Sequence, residues 1–343
     1  MLSDQPDAYD GDPMPTDALT RRVIQLNAFG DTDVLELIEA PIVPPAEGEV
    51  QLRQTAIGFN YIDIYQRAGK YPLPLPTGLG HEAAGIVEAV GPGVTDFNVG
   101  DRVIYMNAGI GAYTDRRNVD ASKLAHIPDW LDERTAVAVF FKAMTAEYLL
   151  RKTYPVKAGD VVLIHAAAGG VGQVLSRWSK ALGAHVIGTA GSDEKCRVAL
   201  EAGCDHAVNY SQEGWVERVI ATTGGRKAHV VYDSVGRHTF LGSLDCAAKF
   251  GTVIVFGAAS GPAPSIDPEL LNKKGCLFLT RPSVFPHNAD AVTFRANAAT
   301  VFEAMSKGWI KPSLSARFTL DTIAGAHLMA EKRENAGAII ILP

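Results

Sequence analysis

The stretch VVLIHAAAGGVGQVLSRWSKALGAHVIGTAG, Val161 to Gly191, constrains this chain more than any other. A short apolar run ends in a turn of small residues, a helical pattern follows, and a second apolar run closes the segment. That order is a βαβ unit with a dinucleotide-binding turn at its first corner. The turn reads Ala167-x-Gly169-Gly170-x-Gly172, with alanine where the first glycine usually stands. Gly170 and its neighbours Gly169 and Val171 let the backbone approach a pyrophosphate. Gly172 lets the helix pack on the strand, and free N–H groups at the helix start face the phosphates.

A chain of 343 residues is long for one core, so two domains are expected. Hydrophobic residues make up 47% and charged residues 20%, a globular balance. The net charge of −6, without a basic patch, argues against nucleic acid as a partner. No apolar run reaches the roughly 18 residues of a membrane span. The four cysteines, Cys196, Cys204, Cys246 and Cys276, form no C-x-x-C pair. This is neither a disulfide framework nor a zinc-finger pattern, and a reducing, cytoplasmic setting is expected. Residues 1–20 carry five Asp and three Pro without an apolar core. They read as a disordered extension, with Met14 as an alternative start, rather than as a signal peptide.

From Arg22 to Trp130 short apolar runs alternate with Gly/Pro turns, a β-rich pattern without a long amphipathic helix. Residues 131–150 turn helical. From Asp160 to Pro282 strands (VVLIH, HVIGTA, HAVNY, HVVYDSV, TVIVFG, CLFLT) alternate with helices near 171–182, 193–202, 213–222, 237–248 and 268–273. Alternation of this kind means a parallel, doubly wound sheet, so the fold class is α/β. The tail reads as a helix over 288–306, a short helix over 324–332 and a final strand, AIIIL.

The second strand of the unit ends Gly188-Thr189-Ala190-Gly191, without the carboxylate that holds a ribose 2′-OH in NAD-binding units. Its absence permits a 2′-phosphate. Lys195 stands four residues beyond Gly191 in a helix that Ser192 can cap. The lysine either binds that phosphate or is a solvated helix residue. Asp193 and Glu194 suit the helix dipole but weaken the local positive field.

From about Arg22 to Pro343 the chain resembles the medium-chain dehydrogenase/reductase superfamily, and within it the zinc-free quinone oxidoreductases of the zeta-crystallin-like group. The segments that carry the resemblance are AIGFNYIDIYQRAGKYP (56–72), PTGLGHEAAGIVEAVGPGV (76–94), GDRV (100–103), LLRKTYPVKAGDVVLIHAAAGGVG (149–172), VVYDSVGR (230–237), TVIVFG (252–257) and LTRPS (279–283). The resemblance implies a GroES-like β-barrel catalytic domain, residues 21–144 and 285–343, and a Rossmann domain over 145–284, with the substrate cleft between them. It implies NADPH, with Lys195 and Tyr210 near the 2′-phosphate and Asn60 and Tyr65 on the nicotinamide side. It also places Lys142 and Thr145 near the nicotinamide, and Ser234, Phe256, Gly257, Pro282, Ser283, Val284 and Arg333 around the cofactor. For Lys142 and Arg333 a plain surface role stands beside these. A homodimer joined along the Rossmann edge strand near 276–281 is typical of the group, and an exposed edge is a physical pairing site.

Zinc-containing relatives use two cysteines, a histidine and a nearby glutamate. Gly80-His81-Glu82 looks like the histidine half of that set, but Asn60 stands where the first cysteine would be, and no cysteine precedes Cys196. One imidazole and one carboxylate do not make a zinc site, so no metal is expected and His81 reads as a packing or hydrogen-bonding residue. Without a Lewis acid, hydride transfer to a quinone or conjugated enone is the expected chemistry. Asn60 and Tyr65 can donate to the developing oxyanion, and Tyr65 or water can protonate the product. Tyr65 and Tyr71 can equally be flat walls of the cleft, Tyr71 as a lid residue. Three functions remain: an NADPH-dependent quinone oxidoreductase, an NADPH-dependent enone or alkenal double-bond reductase, or a non-enzymatic NADPH-binding protein with a structural or RNA-binding role.

Overall fold

In the computed structural model the described residues are 20–332 and 337–343. The N-terminal extension and Arg333 lie outside them. The first part of the chain supplies β1 (Thr20–Leu26), β2 (Glu36–Pro41), β3 (Glu49–Gly58), β4 (Thr77–Gly78), β5 (Glu82–Val90), β6 (Arg102–Met106), β7 (Arg116–Asp120) and β8 (Leu124–His126). One short helix, α1 (Tyr61–Arg67), interrupts them. The middle part supplies β9 (Val161–His165), β10 (His185–Ala190), β11 (His206–Asn209), β12 (Ala228–Asp233), β13 (Ala247–Val255) and β14 (Phe278–Thr280). Between these run α3 (Gly170–Ala181), α4 (Asp193–Glu201), α5 (Trp215–Thr222), α6 (Phe240–Cys246) and α7 (Glu269–Lys273), preceded by α2 (Glu133–Tyr148). The tail adds α8 (Ala291–Ser306), β15 (Leu314–Thr319), α9 (Ile323–Glu331) and β16 (Ala338–Leu342).

The middle strands form one sheet in the order β11-β10-β9-β12-β13-β14, every neighbouring pair parallel. Numbered within the sheet this is 3-2-1-4-5-6, the dinucleotide-binding order, whose direction of winding reverses between β9 and β12. All five residues of β9 are buried, as expected of a strand covered on both faces. The remaining strands form a seven-stranded sheet and a three-stranded one. The tail closes the larger: β16 lies antiparallel to β3, pairing Ile340 with Gly58 and Ile341 with Ile57.

Helix α2 joins the two halves. Asp132 caps it by accepting from the Thr135 N–H at 3.0 Å. Its residues are buried nearly all round, because it packs on β3 and β5 from one side and on α3 and α8 from the other. One expected helix is shorter than its pattern: α6 ends at Cys246 rather than at 248. Ala247 already pairs with Ala228, and the chain kinks at Phe250, which has φ +61°. Tertiary pairing overrides local helix preference there.

Candidate active site

The turn after β9 brings Ala166 to φ +52° and then starts α3 at Gly170, with Gly169 in the extended cap position. A Cβ on Gly172 would lie 2.3 Å from the Ala166 carbonyl oxygen and 2.7 Å from Ala167 Cα. The helix can therefore sit this close to the strand only with glycine there. Gly170 has a different neighbour. The stem of Lys142, from α2, lies over it, with Cδ 3.0 Å from where a Cβ would stand. Val171 is half-buried on the first turn of α3.

Across the switch point, β12 ends in Asp233. This buried carboxylate accepts from the Val235 and Gly236 N–H groups, both at 2.9 Å, from Thr239 Oγ1 at 2.8 Å and from Ser243 Oγ at 2.7 Å. Ser243 also meets His165 Nε2 at 2.9 Å, and His165 Nδ1 lies 2.7 Å from Thr189 Oγ1. Burial lowers the His165 pKa, with Asp233 opposing the shift, so the imidazole is neutral and bridges β9, β10 and α6. The network braces the three strand ends around the turn. Gly257 lies against the Ser234 backbone, where a Cβ would be 2.6 Å from the carbonyl oxygen. Phe256 donates its N–H to the Asp233 carbonyl at 2.9 Å.

At the end of β10 no carboxylate appears. Ser192 caps α4, its Oγ accepting from the Lys195 N–H at 3.2 Å. The Asp193 carboxylate is engaged by Asn209 Nδ2 at 2.9 Å and Gln212 Nε2 at 3.3 Å. Lys195 is half-buried, and among the described residues no carboxylate lies within ion-pair distance of it. The Tyr210 hydroxyl stands 3.3 Å from the Cβ position of Gly191, so Gly191, Lys195 and Tyr210 share one corner. The glycine turn, the braced strand ends and this corner, whose Asp193 is tied up by Asn209 and Gln212, are together a cradle that fits a dinucleotide with a phosphorylated ribose.

The opposite wall comes from the first part of the chain. Asn60 precedes α1, and its backbone N–H donates to Asp63 Oδ2 at 2.9 Å. Tyr113 OH donates to the same oxygen at 2.8 Å. Burial raises the Asp63 pKa to about 7, with those two hydrogen bonds opposing the shift. The Asn60 side chain donates from Nδ2 to Glu82 Oε1 at 2.9 Å, while its Oδ1 lies 3.5 Å from Lys142 Nζ. Glu82 is fully buried and also accepts from the Phe141 N–H at 2.9 Å, with Lys142 Nζ 3.9 Å away. Gly58 makes room for it, since a Cβ there would fall 2.2 Å from Glu82 Oε1. Burial raises the Glu82 pKa, opposed first by Lys142.

His81 turns away from this cluster. Its Nε2 lies 3.0 Å from Gln66 Oε1, and its ring packs against Phe141 and Phe285. Burial pushes its pKa down to about 4, so it is a neutral donor. Among the described residues no three His, Cys, Asp or Glu side chains converge as a metal site. Tyr65 reaches across the cleft, its hydroxyl 3.5 Å from the Ala258 carbonyl, and packs edge-on with Tyr61 and Tyr71. Tyr71 is 43% exposed at the rim. The Thr145 hydroxyl donates to the Phe141 carbonyl at 2.9 Å, one helical turn back. Val284 is buried, Pro282 half-buried and Ser283 exposed on the segment leading back to α8.

The sequence did not reveal Glu82 as the partner of Asn60 and Lys142. Separations of 22 and 60 positions leave no local signal, and beside His81 the residue read as part of a degenerate zinc motif. Nor did it reveal the Asp233–Ser243–His165 network. The only trace there was polar residues at strand ends.

Residues 46–129 match the alcohol dehydrogenase GroES-like domain, and residues 170–288 match the zinc-binding dehydrogenase family. The chain is 43% identical over 321 residues to a quinone oxidoreductase of Pseudomonas aeruginosa, spanning 93% of this chain and 99% of that protein. It is 42% identical to a 2-haloacrylate reductase of a Burkholderia species, over 89% of this chain and 94% of that one. The structure of Escherichia coli quinone oxidoreductase complexed with NADPH superimposes with a TM-score of 0.91 at 42% identity, covering 94% of this chain and all of that one. On identity at this level over nearly the whole length, with a shared two-part fold, the chain belongs to the quinone oxidoreductase family of the medium-chain dehydrogenase/reductase superfamily.

Proposed function

We propose that this protein is an NADPH-dependent quinone reductase that works without zinc. The observation that carries the reading is the meeting of two walls: a dinucleotide cradle with no carboxylate at the end of its second strand, and a cleft wall of Asn60, Glu82 and Lys142 that lacks any thiolate. NADPH, when bound, supplies the hydride. The chain's own residues bind, orient and exclude water. Gly169, Gly170, Val171 and Gly172 would hold the pyrophosphate, and Ser192, Lys195 and Tyr210 the 2′-phosphate. Ser234, Phe256, Gly257 and Pro282 to Val284 would line the rest of the cofactor, with Arg333 assigned to it from the sequence alone. Lys142 and Thr145 would flank the nicotinamide end. Tyr65 and Tyr71 would wall the substrate side.

We place the catalytic domain at residues 21–144 and 285–343 and the cofactor domain at 145–284. We further infer a homodimer through β14, which among the described residues pairs only with β13 and exposes Phe278 (63%) and Leu279 (37%). No helix of the described residues is long and apolar enough to cross a membrane, and we assign the protein to the cytoplasm on its four cysteines, none of which is paired in a disulfide.

The relative that reduces 2-haloacrylate favours a second reading, reduction of an activated double bond. Initial rates with NADPH and either a naphthoquinone or 2-chloroacrylate separate the two. Faster turnover of the quinone supports the proposal. Turnover of the acrylate alone replaces it with the second reading.

A further inference from the structure

Glu82 is a carboxylate with no access to solvent, which is costly unless the site uses its charge. Its three partners are the Asn60 side chain, the Phe141 N–H and the Lys142 ammonium. Two of them come from α2, which passes between the catalytic wall and the glycine turn. Lys142 runs from that helix over Gly170 and ends between Asn60 and Glu82, its side chain 12% exposed. One Asn60 Nδ2 hydrogen is already committed to Glu82. The strongest donor left at the cleft surface is therefore the ammonium.

Resting on the quinone-reductase reading, we propose that Lys142 is the proton donor to the reduced quinone and that Glu82 is the positioning residue that, with Asn60, holds its ammonium aimed at the cleft. The quinone gains two electrons with the hydride from NADPH, which is oxidised to NADP, and one quinone oxygen is left as a phenolate. The Lys142 N–H bond breaks as an O–H bond forms on that oxygen, and water reprotonates the amine. The other charged and titratable groups that face the pair are Asp63 on α1, Tyr105 on β6, Tyr113 on the loop before β7, and Lys311, which lines the same small cavity as Lys142 and Gly170. The Glu82 carboxylate is the opposite charge beside the ammonium, 3.9 Å from Nζ, and Glu82→Gln removes it.

The test combines two readouts. The first is 4-nitrophenol, a stand-in for the hydroquinone monoanion, bound to the NADP complex and shown to compete with quinone. In the wild type its visible phenolate band should persist at least about one pH unit lower than in free solution. In Lys142→Met the displacement should vanish. An undisplaced titration in the wild type overturns the proposal whether or not the protein turns over quinone. The second is the pH profile of kcat. Lys142→Met should lower kcat about 100-fold, the scale of general acid catalysis, with NADPH affinity within about threefold of wild type by nucleotide fluorescence. Glu82→Gln should move the alkaline limb to lower pH, and Glu82→Asp should restore it in part. A Lys142→Met enzyme that keeps kcat but loses NADPH affinity makes the lysine a phosphate ligand and overturns the proposal. So does an alkaline limb unmoved in a folded Glu82→Gln. A wild type that binds NADPH but reduces no quinone refutes the underlying function instead.

Discussion

At the scale of single residues, cofactor choice turns on one corner. The end of β10 offers glycine instead of a carboxylate, and Asp193, the acid nearest in sequence, is held by Asn209 and Gln212. Lys195 is thus the cation that a 2′-phosphate would meet. Lys195→Ala should weaken NADPH binding about tenfold, the loss of one charge-assisted hydrogen bond, and leave NADH binding unchanged in a fluorescence titration. Equal weakening of both nucleotides would remove Lys195 from the phosphate site. This corner was open to sequence reasoning because every part of it lies within a few positions of a strand end. Gly172 was legible for the same reason: the turn fixes its neighbours, Ala166 and Ala167. The link from Asn60 to Glu82 was not, because it depends on α1, β5 and α2 meeting in space.

Elements carry the acid response and the assembly. Helix α9 buries His327 between Phe59 and Tyr113, and neither ring nitrogen has a partner among the described residues. Burial, with Arg67 adding to it, pushes its pKa down to about 3. The folded state refuses a proton that the unfolded chain takes up below about pH 6.5, so stability falls as the pH drops from there. At pH 5 the loss from this group is about 2 kcal/mol. His81 acts in the same direction, whereas Asp63, raised to about 7, stabilises at low pH and loses that contribution as pH rises from its unfolded value. The overall profile is therefore a compromise, and a single variant isolates one group. His327→Phe should shrink the difference in urea unfolding free energy between pH 7 and pH 5 by about 2 kcal/mol. An unchanged difference would mean that the imidazole titrates normally. For the inferred edge-strand dimer, Phe278→Lys on β14 should leave a monomer in sedimentation velocity. A wild type that is already monomeric would refute the edge-strand interface. The strands were legible from their apolar runs, and the end of α6 was not, because pairing of Ala247 with Ala228 decides it.

For the whole molecule, the doubly wound parallel sheet follows from alternating strands and helices plus the handedness of crossovers, whereas its 3-2-1-4-5-6 order appears only in the strand pairing. Closure of the first domain by the tail is a long-range pairing, Ile340 on Gly58, that no local pattern in either segment announces. The resemblance to known dehydrogenases, rather than periodicity, pointed to it. That closure also puts β16 beside the strand whose Gly58 makes room for Glu82, so the distant tail helps to frame the cleft. The proposed reaction is hydride transfer from NADPH to a quinone in this cleft without a metal. Its most direct test is loss of the reduced-nicotinamide absorbance when chelator-treated protein is mixed with NADPH and a naphthoquinone, with NADH in parallel. Turnover should be unchanged by chelator and much faster with NADPH than with NADH. Activity abolished by chelator and restored by zinc would contradict it, and would return His81 to the role of a ligand.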